Sequence, residues 1–166
     1  MSNSTQVLLK TIADIEKSNT VFYIDAYQRG YRWTESEVHD LLEDIHEFSQ
    51  SGYETTDRFY CLQPVIVTKT NDGSAWKVID GQQRLTTLYL IYLYYINTAG
   101  RRKPKLPYEL HYNGKQALEN CLNEVLSTEV YTTDEISNLV LKYGGDIDCY
   151  FVLNAFAEIC RFCNNM

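Results

Sequence analysis

Residues 76–88, WKVIDGQQRLTTL, join an apolar, strand-like stretch to a helix-like stretch through a single glycine, Gly81. Four polar side chains crowd this bend: Asp80, Gln82, Gln83 and Arg84. A surface turn can be built from Asp and Gly alone. The two glutamines and the arginine therefore require either a role in capping the helix or a ligand.

The bend has the chemistry of an anion site. A helix that starts directly after a tight glycine turn presents free backbone N–H groups and the positive end of its dipole to an anion. Arg84 can grip a phosphate with two hydrogen bonds, and Gln82 and Gln83 can donate to an oxygen or to the edge of a base. A carboxylate beside a phosphate is repulsive unless Mg²⁺ lies between them or the carboxylate handles a proton. Asp80 and Arg84 are therefore candidate catalytic residues, with Asp80 as the candidate magnesium ligand.

A structural alternative explains part of the same pattern. Asp80 as the N-cap, with Gln83 three residues further on, matches a capping box, and Arg84 would then pair with a carboxylate elsewhere. The chain would in that case be a structural or partner-docking domain. This alternative leaves Gln82 unexplained, and the sequence keeps both interpretations open.

Residues 27–33, YQRGYRW, form a second polar and aromatic motif. The motif offers two polar side chains for ligand contacts, Gln28 and Arg29, and three aromatic rings on which a base or a guanidinium can stack, Tyr27, Tyr31 and Trp33. Alternatively, the rings cover the core, with Trp33 and Val38 forming a hydrophobic staple at the start of a helix. Thr34 and Glu37 match a capping box at the same helix start.

Periodicity and turn residues predict four strands and six helices. The predicted strands cover residues 20–24, 59–69, 76–80 and 108–112, with a turn at Asp72-Gly73 between the second and the third. The predicted helices cover residues 5–17, 35–48, 82–97, 115–126, 134–143 and 146–163. Helix 82–97 is apolar nearly all round, which predicts burial. The chain ends inside or just after the last helix, and this predicts that it is a piece of a longer protein.

Composition limits the class of protein and its cellular location. Of the 166 residues, 45% are hydrophobic, which is enough for a globular core. The formal net charge of −7 argues against a surface that wraps nucleic acid through its phosphates, so any anion site must be local. The N-terminal residues lack the features of a secretory signal, and the longest apolar run, at 88–96, is too short to cross a bilayer. We therefore expect a cytoplasmic protein with no membrane partner.

Three further groups of residues resemble binding motifs, but a structural role explains each of them at least as well. The C-x-x-C at 160–163 lacks the two further ligands of a zinc site, and the odd number of cysteines predicts reduced thiols. His39, Glu43 and His46 have the spacing of metal ligands on a helix, but their acidic neighbours predict a solvated charged face. The basic stretch 101–105 can contact nucleic acid or simply form a solvated connector.

The order of the motifs is also informative. YQRGYRW at 27–33 and VIDGQQRLTTL at 78–88, with FYCLQPVIV at 59–67 between them, resemble the N-terminal domain of GmrSD-type modification-dependent restriction proteins. The resemblance is strong over about residues 10–100 and looser to residue 163. It implies an α+β fold related to ParB and sulfiredoxin, in which a small mixed β-sheet packs against several helices and the C-terminal part is helical. We place a ParB/sulfiredoxin-like core at residues 1–112 and a helical extension at 113–166.

The resemblance also implies a function. Such a core binds a nucleoside triphosphate, and in some members hydrolyses it, in systems that recognise and cut modified foreign DNA. The family's functional positions fall on Tyr27, Gln28, Arg29 and Trp33 in the first motif and on Asp80, Gly81, Gln82, Gln83 and Arg84 in the second. The expected cofactor is Mg²⁺, and the implied partners are modified DNA and a C-terminal HNH-type nuclease domain in cis or in trans.

Two differences from the family pattern limit how far the functional roles of the family can be assigned to this chain. Family members often carry Gly where this chain has Gln63. The sequence has no His-Asn-His constellation, so this chain alone should not cut DNA by that chemistry. A ParB-like DNA-binding or modification-sensing module without turnover, in which the same arginines grip the DNA backbone, is the alternative function.

Overall fold

The computed structural model describes residues 6–51, 59–98, 105–128 and 131–166. These ranges contain, in chain order, α1 (Ile12–Lys17), β1 (Val21–Ile24), α2 (Glu35–Gln50), β2 (Ile66–Lys69), β3 (Trp76–Asp80), α3 (Gln82–Thr98), β4 (Glu109–Tyr112), α4 (Gln116–Ser127), α5 (Thr133–Tyr143) and α6 (Ile147–Asn164). None of the helices in the described part of the chain has the length and apolar character needed to span a membrane.

Two predicted elements begin seven residues before the observed ones, and local chemistry explains both differences. Helix α1 begins at Ile12 because Thr11 caps it: Thr11 Oγ1 accepts a hydrogen bond from the Asp14 N–H at 3.1 Å, and the Asp14 carboxylate accepts the Thr11 N–H. Strand β2 begins only at Ile66. Gln63, just upstream, adopts a left-handed backbone with φ +67°, and Pro64 has no N–H to donate to a ladder.

The four strands form one mixed sheet in the order β2-β3-β1-β4. Strand β1 is parallel to both of its neighbours, β3 and β4, whereas β2 and β3 form the antiparallel hairpin predicted from Asp72-Gly73. The carboxyl ends of β1, β3 and β4 therefore lie at the same edge of the sheet. The motif at 27–33 follows β1 and the bend at 80–84 follows β3, so the topology brings the two motifs to this edge.

Helix α3 is the centre of the core. Its residues 85–90 are all buried, which confirms the burial predicted from its apolar composition. The C-terminal helices belong to the same hydrophobic cluster as the sheet, with Leu153, Phe156 and Ile159 of α6 fully buried in it. The division at residue 112 stays a prediction, but side chains from both parts share one core. The α+β class with a small mixed sheet and several helices is confirmed.

Candidate functional site

A cleft of about 190 Å³ lies where the two motifs meet. Its lining consists of Arg29 and Trp33 from the first motif and Asp80, Gly81, Gln82, Gln83 and Arg84 from the second. Seven of the nine residues that the sequence singled out therefore converge in space, although they come from distant parts of the chain. Ligands of open α/β sheets commonly bind at the carboxyl ends of parallel strands, and this cleft occupies such a position.

The two glutamines fasten the first motif across the start of α3. Gln82 Nε2 donates to the Arg29 carbonyl at 2.9 Å. Gln83 uses both ends of its amide: Nε2 donates to the Gly30 carbonyl at 3.0 Å, and Oε1 accepts the Arg32 N–H at 2.7 Å. The paired glutamines therefore have a defined task, which is to hold the 29–33 loop as one wall of the cleft.

The capping-box interpretation of the bend is wrong. Asp80 is the last residue of β3, and the carbonyl that accepts the first helical hydrogen bond belongs to Gly81, 3.1 Å from the Leu85 N–H. Gln83 contacts the first motif instead of reaching back along the chain. The N–H groups of residues 82–84 precede the first helical bond, so they have no acceptor within the helix. The positive end of the α3 dipole consequently lies at the cleft.

Gly81 makes the sharp bend possible. It has φ +92°, a conformation that L-residues rarely adopt, and a Cβ placed on it would lie 3.0 Å from Val65 Cγ2 and 3.1 Å from Val65 Cα. A side chain at this position would meet both backbone strain and crowding. Only glycine lets the chain turn from β3 into α3 tightly enough to place Asp80 and Arg84 in the same cleft.

The cleft is locally basic in an acidic protein. Its described lining carries two guanidinium groups, from Arg29 and Arg84, against one carboxylate, from Asp80. Arg29 and Asp80 are exposed and Arg84 is half-buried, so all three can reach a ligand from solvent. Trp33 adds an aromatic side chain to the lining and packs against the core. The bend and part of the first motif therefore line one cleft, and the described lining of this cleft has a net positive charge. A functional role for these residues stays a prediction.

The other first-motif candidates occupy different places. Tyr27 is 78% exposed and lies outside the described lining of the cleft. Gln28 Nε2 donates to the Val78 carbonyl at 2.6 Å, which ties the loop to β3. Tyr31 is fully buried and shares a 2.8 Å hydrogen bond with Thr87 Oγ1, and burial raises its pKa. For Tyr31 the alternative of a core aromatic is confirmed, whereas ligand contacts by Tyr27 and Gln28 stay predictions.

Asp148 is a residue of this region that sequence reasoning missed. It lies in the first turn of α6, is only 5% exposed, and forms ion pairs with Arg32 of the first motif and with Lys115, the latter at 2.6 Å. Burial raises the pKa of Asp148, but the hydrogen bonds from Lys115 and Arg32 outweigh burial and hold the pKa below its usual value. In the sequence, an acid in a first helical turn indicates only a favourable dipole contact.

The histidine motif of α2 takes part in an interhelical contact. His39 Nδ1 lies 2.8 Å from Oε1 of the buried Glu158 on α6, and His39 Nε2 lies 3.2 Å from Oε1 of Glu43. The rings of His46 and Phe162 lie nearly perpendicular to each other, with their centres 6.3 Å apart. Within the described ranges, no group of three His, Cys, Asp or Glu side chains is arranged to hold a metal ion. In the basic stretch, residues 101–104 lie outside the described residues.

Gln63 is strained and contacts the cleft. Its left-handed φ of +67° is unfavourable for a residue with a Cβ, and its Oε1 accepts a hydrogen bond from Arg84 Nη2. We expect Gln63→Gly to raise the free energy of unfolding by up to about 1 kcal/mol, because the left-handed penalty exceeds the entropic cost of glycine. Urea denaturation measures this gain.

Asn19→Gly provides the control for this prediction. Asn19 also has a positive φ, +45°, but asparagine tolerates the left-handed region, so we expect a change of only a few tenths of a kcal/mol. A loss of stability in Gln63→Gly would contradict the interpretation of strain at this position.

Comparison with known protein families identifies the family of the chain. The sequence model of the family described as GmrSD restriction endonuclease, N-terminal domain, matches residues 9–158, a region that includes both motifs. Searches of curated proteins and of solved structures give no match. The relation to the ParB and sulfiredoxin fold therefore stays a prediction. Because the family match spans most of the chain, the protein belongs to the GmrSD restriction endonuclease N-terminal domain family.

Proposed function

We propose that the cleft binds the phosphate groups of a nucleoside triphosphate and that this domain thereby acts as the nucleotide-dependent part of a DNA restriction protein. The observation that carries the proposal is that Arg29 and Arg84 line the same cleft as the first residues of α3, whose N–H groups precede the first helical hydrogen bond. Guanidinium groups and free N–H groups at a helix N-terminus are both well suited to bind phosphate. In a chain with a net charge of −7, this local concentration of positive groups favours a specific anion.

Each residue of the lining has a role in this proposal. Arg84 and Arg29 bind phosphate oxygens from two sides of the cleft. Gln82 and Gln83 hold the walls together through the main chain of residues 29–32. Trp33 offers the face on which the base stacks. The contribution of the protein is mainly to position and neutralise the polyphosphate, which is how most phosphoryl-transfer sites work.

Asp80 gives the site a capacity beyond binding. Its exposed carboxylate can accept a hydrogen bond from a water molecule aimed at the terminal phosphate, and hydrolysis would then yield a nucleoside diphosphate and phosphate. Mg²⁺ usually takes one or two protein carboxylates and completes its shell with water and substrate phosphates. The single carboxylate in the described lining fits a site of that kind, in which a bound Mg²⁺ would neutralise developing charge on the phosphates.

The full protein would couple this site to DNA. We propose that modified DNA and an HNH-type nuclease domain, in cis or in trans, are the partners that respond to nucleotide binding or hydrolysis. The family to which the chain belongs supports a restriction context. A cleft controlled by a nucleotide would allow the nuclease to be restrained until foreign DNA is present.

Calorimetric titration tests the proposal. We expect ATP, GTP, CTP or UTP to bind in the presence of Mg²⁺, and Arg84→Ala to weaken that binding about 10- to 100-fold, since a hydrogen bond to a charged group contributes about 1.5–3 kcal/mol. Lys142→Ala, which removes an exposed cation on α5, should leave the affinity unchanged. Absence of binding by all four nucleotides, or equal affinity in Arg84→Ala, would overturn the proposal. DNA affinity that falls steeply with salt and is lost in Arg84→Ala would instead favour the DNA-binding module.

A further inference from the structure

The buried carboxylate of Asp148 stands at the back of the first motif. One of its oxygens pairs with the Arg32 guanidinium and the other lies 2.6 Å from Lys115 Nζ. Burying charges is costly, and a well-packed apolar cluster often stabilises a fold as much as a buried ion pair does. Stability alone is therefore a weak explanation for three charged groups at this position, and a role in fixing one specific geometry is the stronger one.

Asp148 contacts the two loop residues that hold Gln83. Through Arg32 the connection runs from the carboxylate to the guanidinium, and from the Arg32 N–H to Gln83 Oε1 at 2.7 Å. Through Gly30 the contact is steric, because a Cβ at Gly30 would lie 2.1 Å from Asp148 Oδ1. The carbonyl of the same glycine accepts the other hydrogen bond of Gln83, at 3.0 Å. One carboxylate thus contacts two of the three loop residues that hydrogen-bond to the Gln83 amide; the third is Trp33, whose N–H lies 3.3 Å from Gln83 Oε1.

The guanidinium of Arg32 is held from several sides, so the connection is rigid. Its Nη1 donates to the Tyr31 carbonyl at 2.5 Å, and its Cζ lies 5.5 Å from the centre of the Phe151 ring. Arg32 is thereby occupied within the protein, whereas Arg29 is exposed and lines the cleft. The first motif contains two arginines with different tasks.

We propose that Asp148 is a positioning residue of the cleft: its carboxylate fixes the 29–33 loop through Gly30 and Arg32 and so sets Gln83 and Trp33 in the geometry that receives the ligand. The helical C-terminal part therefore completes the site, because Asp148 belongs to α6 and Lys115 directly precedes α4. The effect on affinity rests on the proposed nucleotide site, but the position of the loop can be measured without any ligand.

Trp33 provides that measurement. The chain has two tryptophans, so Trp76→Phe leaves Trp33 as the single fluorescent reporter of the loop. In this background we compare Asp148→Asn with Glu158→Gln, which neutralises the other buried carboxylate of α6 at a place that contacts His39 and Arg161 instead of the first motif. Emission maximum, acrylamide quenching, melting temperature and titration with each magnesium nucleotide are recorded for both.

We expect both variants to melt at lower temperature, but only Asp148→Asn to shift the Trp33 emission, increase its quenching and weaken nucleotide binding about tenfold. If Asp148→Asn does not fold, Arg32→Lys takes its place, since it keeps the charge but loses the geometry of the guanidinium, and the same Trp33 change is expected. Unchanged Trp33 emission and affinity relative to Glu158→Gln would overturn the inference. If the parent binds no nucleotide, the proposed function fails, and the Trp33 comparison still decides the role of Asp148.

Discussion

Gly30→Ala is expected to lower the free energy of unfolding by about 3–5 kcal/mol, the range seen when a buried ion pair is broken. The added methyl group would overlap the Asp148 carboxylate, which is 5% exposed and held by Arg32 and Lys115. The carboxylate cannot move aside without leaving its partners. Urea denaturation followed by circular dichroism gives the value.

Two comparisons make this prediction specific. Gly145→Ala has nothing within 4 Å of the added carbon, so we expect a change within about 0.5 kcal/mol. Asp148→Ala removes the obstructing carboxylate, so Gly30→Ala should cost clearly less in that background, with a coupling energy of at least about 1.5 kcal/mol. Strictly additive losses in the double variant would show that the contact between Gly30 and Asp148 does not limit the position of the loop.

Gly81→Ala is expected to lower the free energy of unfolding by about 2–4 kcal/mol, through two separate costs. The first is the left-handed φ of +92°, and the second is crowding, since the new carbon would lie 3.0 Å from Val65 Cγ2 and 3.1 Å from Val65 Cα. A backbone neighbour cannot rotate away as a flexible side chain can. We also expect weaker nucleotide binding, because relief of the crowding would shift Asp80 relative to Arg84.

Gly73→Ala separates the two costs. Gly73 has φ +71° in the turn between β2 and β3, and nothing lies within 4 Å of a carbon added there. We expect Gly73→Ala to lower the free energy of unfolding by about 1–2 kcal/mol, which is the cost of the left-handed backbone alone, and to leave the nucleotide affinity unchanged. Equal losses in the two variants would mean that Val65 yields and that the bend tolerates a side chain.

The two glycines differ in a way that clarifies the architecture of the cleft. Gly81 shapes the bend through its own backbone, so its neighbourhood in the chain already indicates its importance. Gly30 has no unusual φ, and its requirement comes from a carboxylate on a helix far along the chain. The wall formed by the 29–33 loop therefore depends on packing by α6. The opposite part of the cleft, residues 80–84, depends on the local geometry between β3 and α3.

Much of the local structure was determined by the sequence itself. The turn at residues 72–73, the buried character of α3 and the capping box at α2, in which the Thr34 N–H donates to Glu37 Oε2 at 2.7 Å, all follow from residues close together in the chain. The two motifs and the family were recognisable for the same reason: a short run of polar residues around a glycine can be identified without knowledge of long-range contacts.

The tertiary structure alone decided which partner each polar group takes. A capping box at the start of α3 was as compatible with the sequence as a cleft. In the structure, the Gln83 side chain forms hydrogen bonds with both Gly30 and Arg32, whereas in a capping box it would form one. Arg29 and Arg32 look equivalent in the motif, yet only Arg32 meets a buried acid. Such outcomes depend on which groups the sheet and α6 bring within hydrogen-bonding distance, and local propensity carries no information about that distance.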